Sequence, residues 1–228
     1  MTSGLVRRSN DCCLLYAHSM DANDPYRRIA SVYDRLIEPM QAGVRRVALD
    51  VVPPQPEWQV LDVGCGTGTG MAAYVEAGCT VVGVDTSAAM LEKAAARLGD
   101  RAELHLTDGD ILPLEDGRFD LVTTSMVLHG VPAADRMALV NQMARVAKPD
   151  GRLLFIDFRF GSLRGWKAPV LRAAHEVIER LSGHFSEFRG FKASGGVPGV
   201  VGAAGLGIER EKIVAGGTMA IYEVAPTP

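Results

Sequence analysis

The feature that most constrains this chain is a run of alternating glycines at positions 64, 66, 68 and 70. The apolar run 58–63 before them predicts a buried strand, and the helical periodicity of 69–77 predicts a helix after them. Glycine permits a sharp backbone turn and lets a ligand come close to the main chain. A strand, a glycine loop and a helix in this order predict a nucleotide-type binding site in an α/β protein.

Apolar strands and helices alternate through the centre of the chain. Further strands are predicted at 80–84, 102–106, 119–125 and 152–158, and further helices at 87–98 and 133–147. This alternation is typical of a doubly wound α/β fold, in which a mostly parallel sheet has helices on both faces.

The pattern changes after residue 158. A helix at about 166–182 carries an apolar stripe that includes Val170, Val177 and Ile178, and the glycine-rich stretch 183–200 is predicted to be irregular. Two closing strands follow at 205–214 and 218–224, and Gly216-Gly217 between them predicts a tight hairpin turn.

The length of 228 residues fits one large α/β domain. Residues 1–24 lack a clear period and are predicted to be a loose extension, which leaves 25–228 as a single domain. Within it, 25–52 is predicted to form a helical lid, and 159–205 to be an insert on the substrate side.

Composition excludes several classes of protein. The net charge is -3 and no dense run of Lys and Arg occurs, which argues against a nucleic-acid partner. The four cysteines have neither zinc-site nor disulfide-framework spacing, so we expect no metal and a cytoplasmic location. No apolar run approaches the ~20 residues of a membrane span, so we expect no integral membrane segment.

The sequence VLDVGCGTGTG at 60–70 resembles motif I of the class I S-adenosylmethionine-dependent methyltransferases. VVGVDTSAAML, LTDGDILPLEDGRFDLVTTSMVLHGV and ARVAKPDGRLLFID resemble the family motifs that follow, in order. The stretch 60–158 is similar to the small-molecule branch, which includes the ubiquinone/menaquinone C-methyltransferases and phospholipid N-methyltransferases. The resemblance is weak over 1–24 and 160–205, so it does not extend to the acceptor.

The resemblance implies a seven-stranded Rossmann-like sheet with an antiparallel last strand, and S-adenosylmethionine as cofactor, with S-adenosylhomocysteine as product. It assigns Asp85 to the ribose hydroxyls and Asp108 to the adenine amino group, with the base near Gly109 or Ile111. Asp62, a carboxylate in an apolar strand, needs partners; it fixes the glycine loop or reaches the methionine amino group through water. The predicted cofactor residues are Tyr33, Asp62, Gly64, Cys65, Gly66, Gly68, Asp85, Thr86, Met90, Asp108, Gly109, Asp110, Ile111 and Ser125.

His129 is the candidate catalytic residue, because it follows a strand whose carboxyl end faces the ligand edge of the sheet. It is either a general base for a hydroxyl or carbon acid, or a residue that lines the pocket. The aromatics of the insert supply an acceptor wall, or they only pack the insert on the sheet. The predicted acceptor residues are Tyr26, Met126, His129, Arg159, His184, Phe188 and Arg189.

The predicted reaction is an in-line displacement at the sulfonium methyl, with a small or medium-sized, partly apolar acceptor. We expect a small-molecule partner and a monomer or homodimer. One alternative is a nicotinamide-dependent oxidoreductase, but its fingerprint needs glycines at i, i+2 and i+5, where Thr69 or Met71 stands. A protein that binds S-adenosylmethionine without catalysis is the other alternative.

Overall fold

Seven strands form one sheet in a computed structural model that describes residues 38–109, 111–183 and 185–226. The strands are β1 (Gln59–Val63), β2 (Thr80–Asp85), β3 (Ala102–Leu106), β4 (Phe119–Ser125), β5 (Ala147–Phe158), β6 (Ile208–Val214) and β7 (Met219–Val224). Their order across the sheet is β3-β2-β1-β4-β5-β7-β6. Strands β1 to β5 pair in parallel, and β7 is antiparallel to both of its neighbours. The predicted doubly wound fold with an antiparallel last strand is confirmed.

The described helices are α1 (Glu38–Val51), α2 (Thr69–Glu76), α3 (Ala88–Leu98), α4 (Arg136–Val146), α5 (Ala168–Ser182), α6 (Phe185–Ala193) and α7 (Gly196–Ala203). The crossover through α2 leads from β1 outward to β2, and the crossover through α4 leads from β4 the opposite way to β5. Because such crossovers are right-handed, α2 and α4 lie on opposite faces of the sheet. Both faces are covered, so β1 and β7 are buried along almost their whole lengths.

Local signals place the ends of several elements where the sequence predicts them. The Ser87 hydroxyl accepts a hydrogen bond from the Met90 amide at 3.2 Å, which caps α3 at its start. At the β6–β7 connection, Gly216 and Gly217 both have positive φ, at 66° and 92°. A Cβ on Gly217 would lie 2.6 Å from the Ser162 carbonyl oxygen, so the turn requires glycine there.

The prediction of an irregular segment at 183–200 is wrong, because α6 and most of α7 lie there. The glycines suggested a loop, but Gly199 stands inside α7, where a Cβ would be 1.6 Å from the Ser194 carbonyl oxygen. Gly195 and Gly196 have φ of 87° and 69° and turn the chain between the two helices. These glycines serve close packing and one tight turn.

Helix α7 also belongs to the core. Val197 and Val201 are fully buried, and α7 packs on both α4 and β5. The connection from β5 to β6 consists of α5, α6 and α7, and α7, the last of the three, covers part of one face of the sheet. Within the described residues, no helix combines the length and apolar character needed to cross a bilayer.

Candidate functional site

A cavity of about 420 Å³ opens at the carboxyl ends of β1, β2 and β4. This is the edge where ligands gather in open α/β sheets, and the volume lies in the range of small-molecule sites. Ten of the residues predicted for cofactor or acceptor line it: Gly64, Gly66, Asp85, Thr86, Met90, Asp108, Gly109, Ser125, Met126 and His129.

The glycine loop forms one wall of the cavity in a conformation that favours glycine. Gly64, Gly66 and Gly68 have φ of 72°, 55° and 75°. A Cβ on Gly64 would lie 2.4 Å from Cγ2 of Val127, whereas a Cβ on Gly66 would meet nothing within 4 Å. The backbone is therefore bare where Gly66 faces the cavity, and Gly68 caps the start of α2 behind it.

Asp85 at the end of β2 ties this loop to the next helix. One carboxylate oxygen accepts a hydrogen bond from the Gly66 amide at 2.7 Å, and the other accepts one from the Ser87 amide at 2.9 Å. Each carboxylate oxygen can accept a second hydrogen bond, and Asp85 lines the cavity. The carboxylate can therefore hold the loop and still accept from a ligand hydroxyl.

Asp62 lies behind the glycine loop and does not line the cavity. Its side chain is 6% exposed, and its Oδ2 is 3.3 Å from where a Cβ on Gly70 would stand. Burial and, second, the negative charge of Asp85 raise the pKa of Asp62 from 3.8 to about 7, although the positive charge of Arg45 on α1 acts to lower it. This carboxyl therefore changes its charge near neutral pH.

The loop after β3 forms the opposite wall. Thr107, Asp108 and Gly109 line the cavity, and the Gly109 amide donates to the Thr107 hydroxyl at 3.2 Å. Ile111 is 66% exposed and does not line the cavity, whereas Leu112, next along the chain, is buried and does. Leu112 therefore supplies an apolar side chain to this wall.

His129 lies between two buried carboxylates. Its Nδ1 is 2.8 Å from Oδ1 of Asp157 on β5, and its Nε2 is 3.5 Å from Oε1 of Glu179 on α5. The Asp157 carboxylate also accepts hydrogen bonds from the backbone amides of His129 and Phe158, at 3.3 and 2.7 Å, and these bonds fix its position. Burial alone would lower the pKa of His129, but the charge and hydrogen bond of Asp157 and the charge of Glu179 raise it.

Two further side chains complete this cluster. Arg136 at the start of α4 is 3% exposed; it donates to the Leu128 carbonyl at 3.0 Å and to the Glu187 carbonyl. His175 on α5 packs against the Phe158 ring at 4.9 Å, and burial and then the charge of His129 lower its pKa. The cluster thus holds two carboxylates, an arginine and two histidines with opposite pKa shifts.

The polypeptide is strained where it enters this region. Met126 has a φ of 59°, which is rare for a residue with a side chain, and its amide donates to the Ile156 carbonyl at 2.8 Å. Non-glycine residues in this conformation cluster at functional sites. The strained residue, Met126, lies in the chain between Ser125 and His129, which both line the cavity.

Several predicted residues do not line the cavity. Cys65 is buried beside it, and Gly68 caps α2. Arg159 donates to Glu211 at 3.0 Å, and Arg189 is exposed. Phe188 is 4% exposed and packs edge-on against Phe158 and Phe160, which agrees with the packing interpretation of that aromatic cluster. Four predicted residues lie outside the described residues: Tyr26, Tyr33, Asp110 and His184.

Sequence reasoning missed Asp157 and Glu179, the partners of His129. Asp157 had a usable signal, since it interrupts the apolar run LLFIDF as Asp62 interrupts its own strand. Glu179 follows His175 by four residues and so shares its helix face, but no sequence pattern tells that this face is the buried one. Cavity-lining residues missed on the α4 side are Val127, Gly130, Val131, Pro132, Asp135 and Leu139.

The residues present fit S-adenosylmethionine. A bare backbone at Gly66 can receive a closely approaching ligand, and Asp85 is an acceptor suited to a ribose diol. Asp85 gives this end of the site a negative charge that suits a cationic sulfonium, and Asp62 behind the loop adds to that charge once the pH rises above its pKa of about 7. Among the residues that the structure describes, no group of three His, Cys, Asp or Glu could hold a metal ion.

Comparisons with known proteins agree with this fit. A family model described as a methyltransferase domain matches residues 61–155. The chain is 33% identical over 204 residues to nocamycin O-methyltransferase of Saccharothrix syringae, covering 82% of this chain and 72% of the relative. It is 32% identical over 173 residues to demethylmenaquinone methyltransferase of Clavibacter sepedonicus, covering 72% and 70%. The solved SAM-dependent methyltransferase of Aquifex aeolicus superposes with a TM-score of 0.61 at 17% identity, covering 86% of this chain and 97% of that one.

The strand order, the glycine loop and the matched motifs point to one enzyme class. The chain is a methyltransferase whose cofactor is S-adenosylmethionine, so the nicotinamide alternative is set aside. The chain belongs to the class I S-adenosylmethionine-dependent methyltransferases.

Proposed function

We propose that this enzyme methylates a hydroxyl oxygen of a small or medium-sized, partly apolar acceptor, and that His129 removes the hydroxyl proton. The observation that carries the proposal is the His129–Asp157–Glu179 cluster, whose His129 lines the same cavity as the glycine loop. A base of this kind serves an acceptor whose nucleophile must lose a proton.

The cluster can both accept and hold a proton. Because the Asp157 carboxylate accepts from Nδ1 of His129, the proton of the neutral imidazole resides on Nδ1 and the lone pair on Nε2. Once Nε2 is protonated, Glu179 at 3.5 Å and Asp157 at 2.8 Å stabilise the imidazolium. Arg136 offsets part of this negative charge at Asp157, which keeps the cluster from carrying two uncompensated carboxylates.

The cofactor supplies a methyl group on a sulfonium that is already activated for displacement, so no covalent protein intermediate is needed. The chain's own part is to orient the acceptor, exclude water and take up the proton. Val131, Pro132 and Leu139 give the α4 side of the cavity an apolar surface, which suits a partly apolar acceptor. The relative from Saccharothrix syringae is named as an O-methyltransferase, which supports oxygen as the nucleophile.

The test compares paired acceptors in which a phenolic or enolic hydroxyl is present or replaced by an amine, using methyl transfer from labelled cofactor. His129→Gln should lower kcat by roughly 10²–10⁴ for the hydroxyl acceptors and leave cofactor affinity nearly unchanged. His105→Gln is the matched control, since His105 pairs with Glu103 away from the cavity and should keep full activity.

The pH profile gives the second readout. A base must be deprotonated to act, so the wild-type rate should rise with pH through the raised pKa of His129. In Asp157→Asn this rise should move to lower pH while the maximal rate falls, because the charge that raises the pKa is lost. A rate independent of pH, or equal loss on the amine acceptors in His129→Gln, would assign His129 to pocket lining alone.

A further inference from the structure

Helix α5 carries its apolar stripe on the outside of the protein. Val170, Val177 and Ile178 are 68%, 52% and 37% exposed, and they recur at helical spacing on one face. His175 and Glu179, by contrast, are 9% and 6% exposed. A helix on a globular protein ordinarily buries its apolar face, whereas α5 exposes apolar side chains and buries polar ones.

The His129 cluster explains why the buried face of α5 is polar. The inward face of α5 brings Glu179 to His129 and His175 to Phe158. Once those side chains are fixed inward, helical geometry turns Val170 and Val177 outward. The reaction site therefore explains why the inner face is polar, but it does not explain why the outer face is apolar.

A tryptophan marks the start of this outer face. Trp166 stands two residues before α5 and is 82% exposed, with the Lys167 ammonium 5.2 Å from its ring centroid. Tryptophan and lysine side by side are favoured where an apolar phase meets water, because each has an apolar part and a polar tip.

The charge of the segment narrows the choice of partner. Residues 159–192 contain seven Lys and Arg against three Asp and Glu, although the whole chain is net negative at -3. A second copy of this chain would present the same positive segment, and like charges face to face oppose pairing. An anionic lipid surface complements both the positive charge and the apolar stripe.

We propose that the outward face of α5, with Trp166 and Lys167, binds the surface of an anionic lipid bilayer. The helix lies in the interface with Val170, Val177 and Ile178 toward the acyl chains. Because the inner face of α5 carries Glu179 beside His129, binding in this way brings the His129 cluster close to the bilayer. This inference does not depend on His129 acting as a base.

The test is sedimentation of the full chain with vesicles of phosphatidylcholine alone or mixed with phosphatidylglycerol. The wild type should bind the mixed vesicles and lose binding at high salt, and the emission of Trp166 should shift to the blue. Val170→Asp and Val177→Asp should each weaken binding by roughly tenfold. Met137→Asp is the matched control, since Met137 is 47% exposed on α4, and it should bind as the wild type does.

Two measurements without lipid, melting temperature and sedimentation velocity, test the alternatives that the chain itself or a second copy of it covers this face. Val170→Asp should melt within a degree or two of Met137→Asp, and both should sediment as the wild type does. A large loss of melting temperature in Val170→Asp alone would show that the chain itself covers the face. Loss of a wild-type dimer in that variant would identify a self-interface. Either result, or no binding of the wild type to the mixed vesicles, overturns the proposal.

Discussion

Asp62→Asn should stabilise the cofactor-free protein and weaken its binding of S-adenosylmethionine. In the folded chain the pKa of Asp62 is raised from 3.8 to about 7, chiefly by burial. A carboxyl whose folded pKa exceeds its unfolded value keeps its proton longer in the folded state. The stability that this proton provides is therefore full below pH 3.8 and is lost as pH rises to about 7.

The size of the effect follows from that interval. A difference between 3.8 and about 7 corresponds to a loss of about 4 kcal/mol of unfolding free energy across the interval. Asparagine keeps the shape and cannot ionise, so above pH 7 the variant should be the more stable protein, by at most about 4 kcal/mol. This figure already includes the loss of the Arg45 pairing, because the Arg45 charge is one of the causes that set the pKa of Asp62.

Cofactor affinity should move the opposite way. If a cationic cofactor needs Asp62 ionised, only about one tenth of the wild type is competent one pH unit below its pKa. Apparent affinity in the wild type should then fall about tenfold between pH 8 and pH 6, whereas Asp62→Asn should bind weakly at both.

Urea denaturation and titration calorimetry at three pH values measure both quantities. Asp120→Asn is the control, because Asp120 pairs with Lys148 at 2.6 Å, outside the cavity-lining residues, and should change neither pH dependence. The reasoning is refuted if Asp62→Asn is less stable than the wild type at pH 8, or if wild-type affinity is flat from pH 6 to pH 8.

Three further substitutions test single contacts. Asp85→Ala removes the acceptor of the Gly66 and Ser87 amides and should weaken cofactor binding at least about tenfold by calorimetry; unchanged affinity in a folded variant would remove Asp85 from the site. Phe188→Ala should cost about 3–5 kcal/mol in urea denaturation, because Phe188 is 4% exposed among other rings; unchanged stability with a raised acceptor KM would restore it as acceptor wall. Gly199→Ala should cost about 1–3 kcal/mol, from a Cβ 1.6 Å from the Ser194 carbonyl oxygen. Gly202→Ala in the same helix has open space and should be neutral or stabilising; similar losses in both would contradict the clash.

Local patterns predicted the sheet well because β1, β2 and β4, in its middle, are largely buried runs with clear ends. The predicted strands at 102–106 and 119–125 agree with β3 and β4. The same logic failed at Gly199, where glycine is needed for a close approach between segments that a local pattern cannot show.

The residues of the candidate site also differ in how well the sequence predicts them. Gly64, Gly66 and Asp85 were predictable because one strand, one loop and one turn place them. Glu179 was not, because its position beside His129 depends on how α5 is rotated on the sheet, and that rotation is set by distant contacts. The periodicity of α5 gives the width of its apolar stripe but not the direction in which the stripe points.

The insertion of β7 between β5 and β6 makes the intervening connection a closed loop. Its ends are held by backbone pairing on both sides of β7, independently of what lies between them. Lengthening such a loop costs little entropy, about 0.6 kcal/mol for each doubling. Helix α7 and the buried rings of Phe188 and Phe191 must stay, since they fill the core, but the exposed positions of 159–194 can change without cutting the sheet. The exposed surface of this connection is therefore the part of the fold that can change in sequence while the sheet and its core stay as they are.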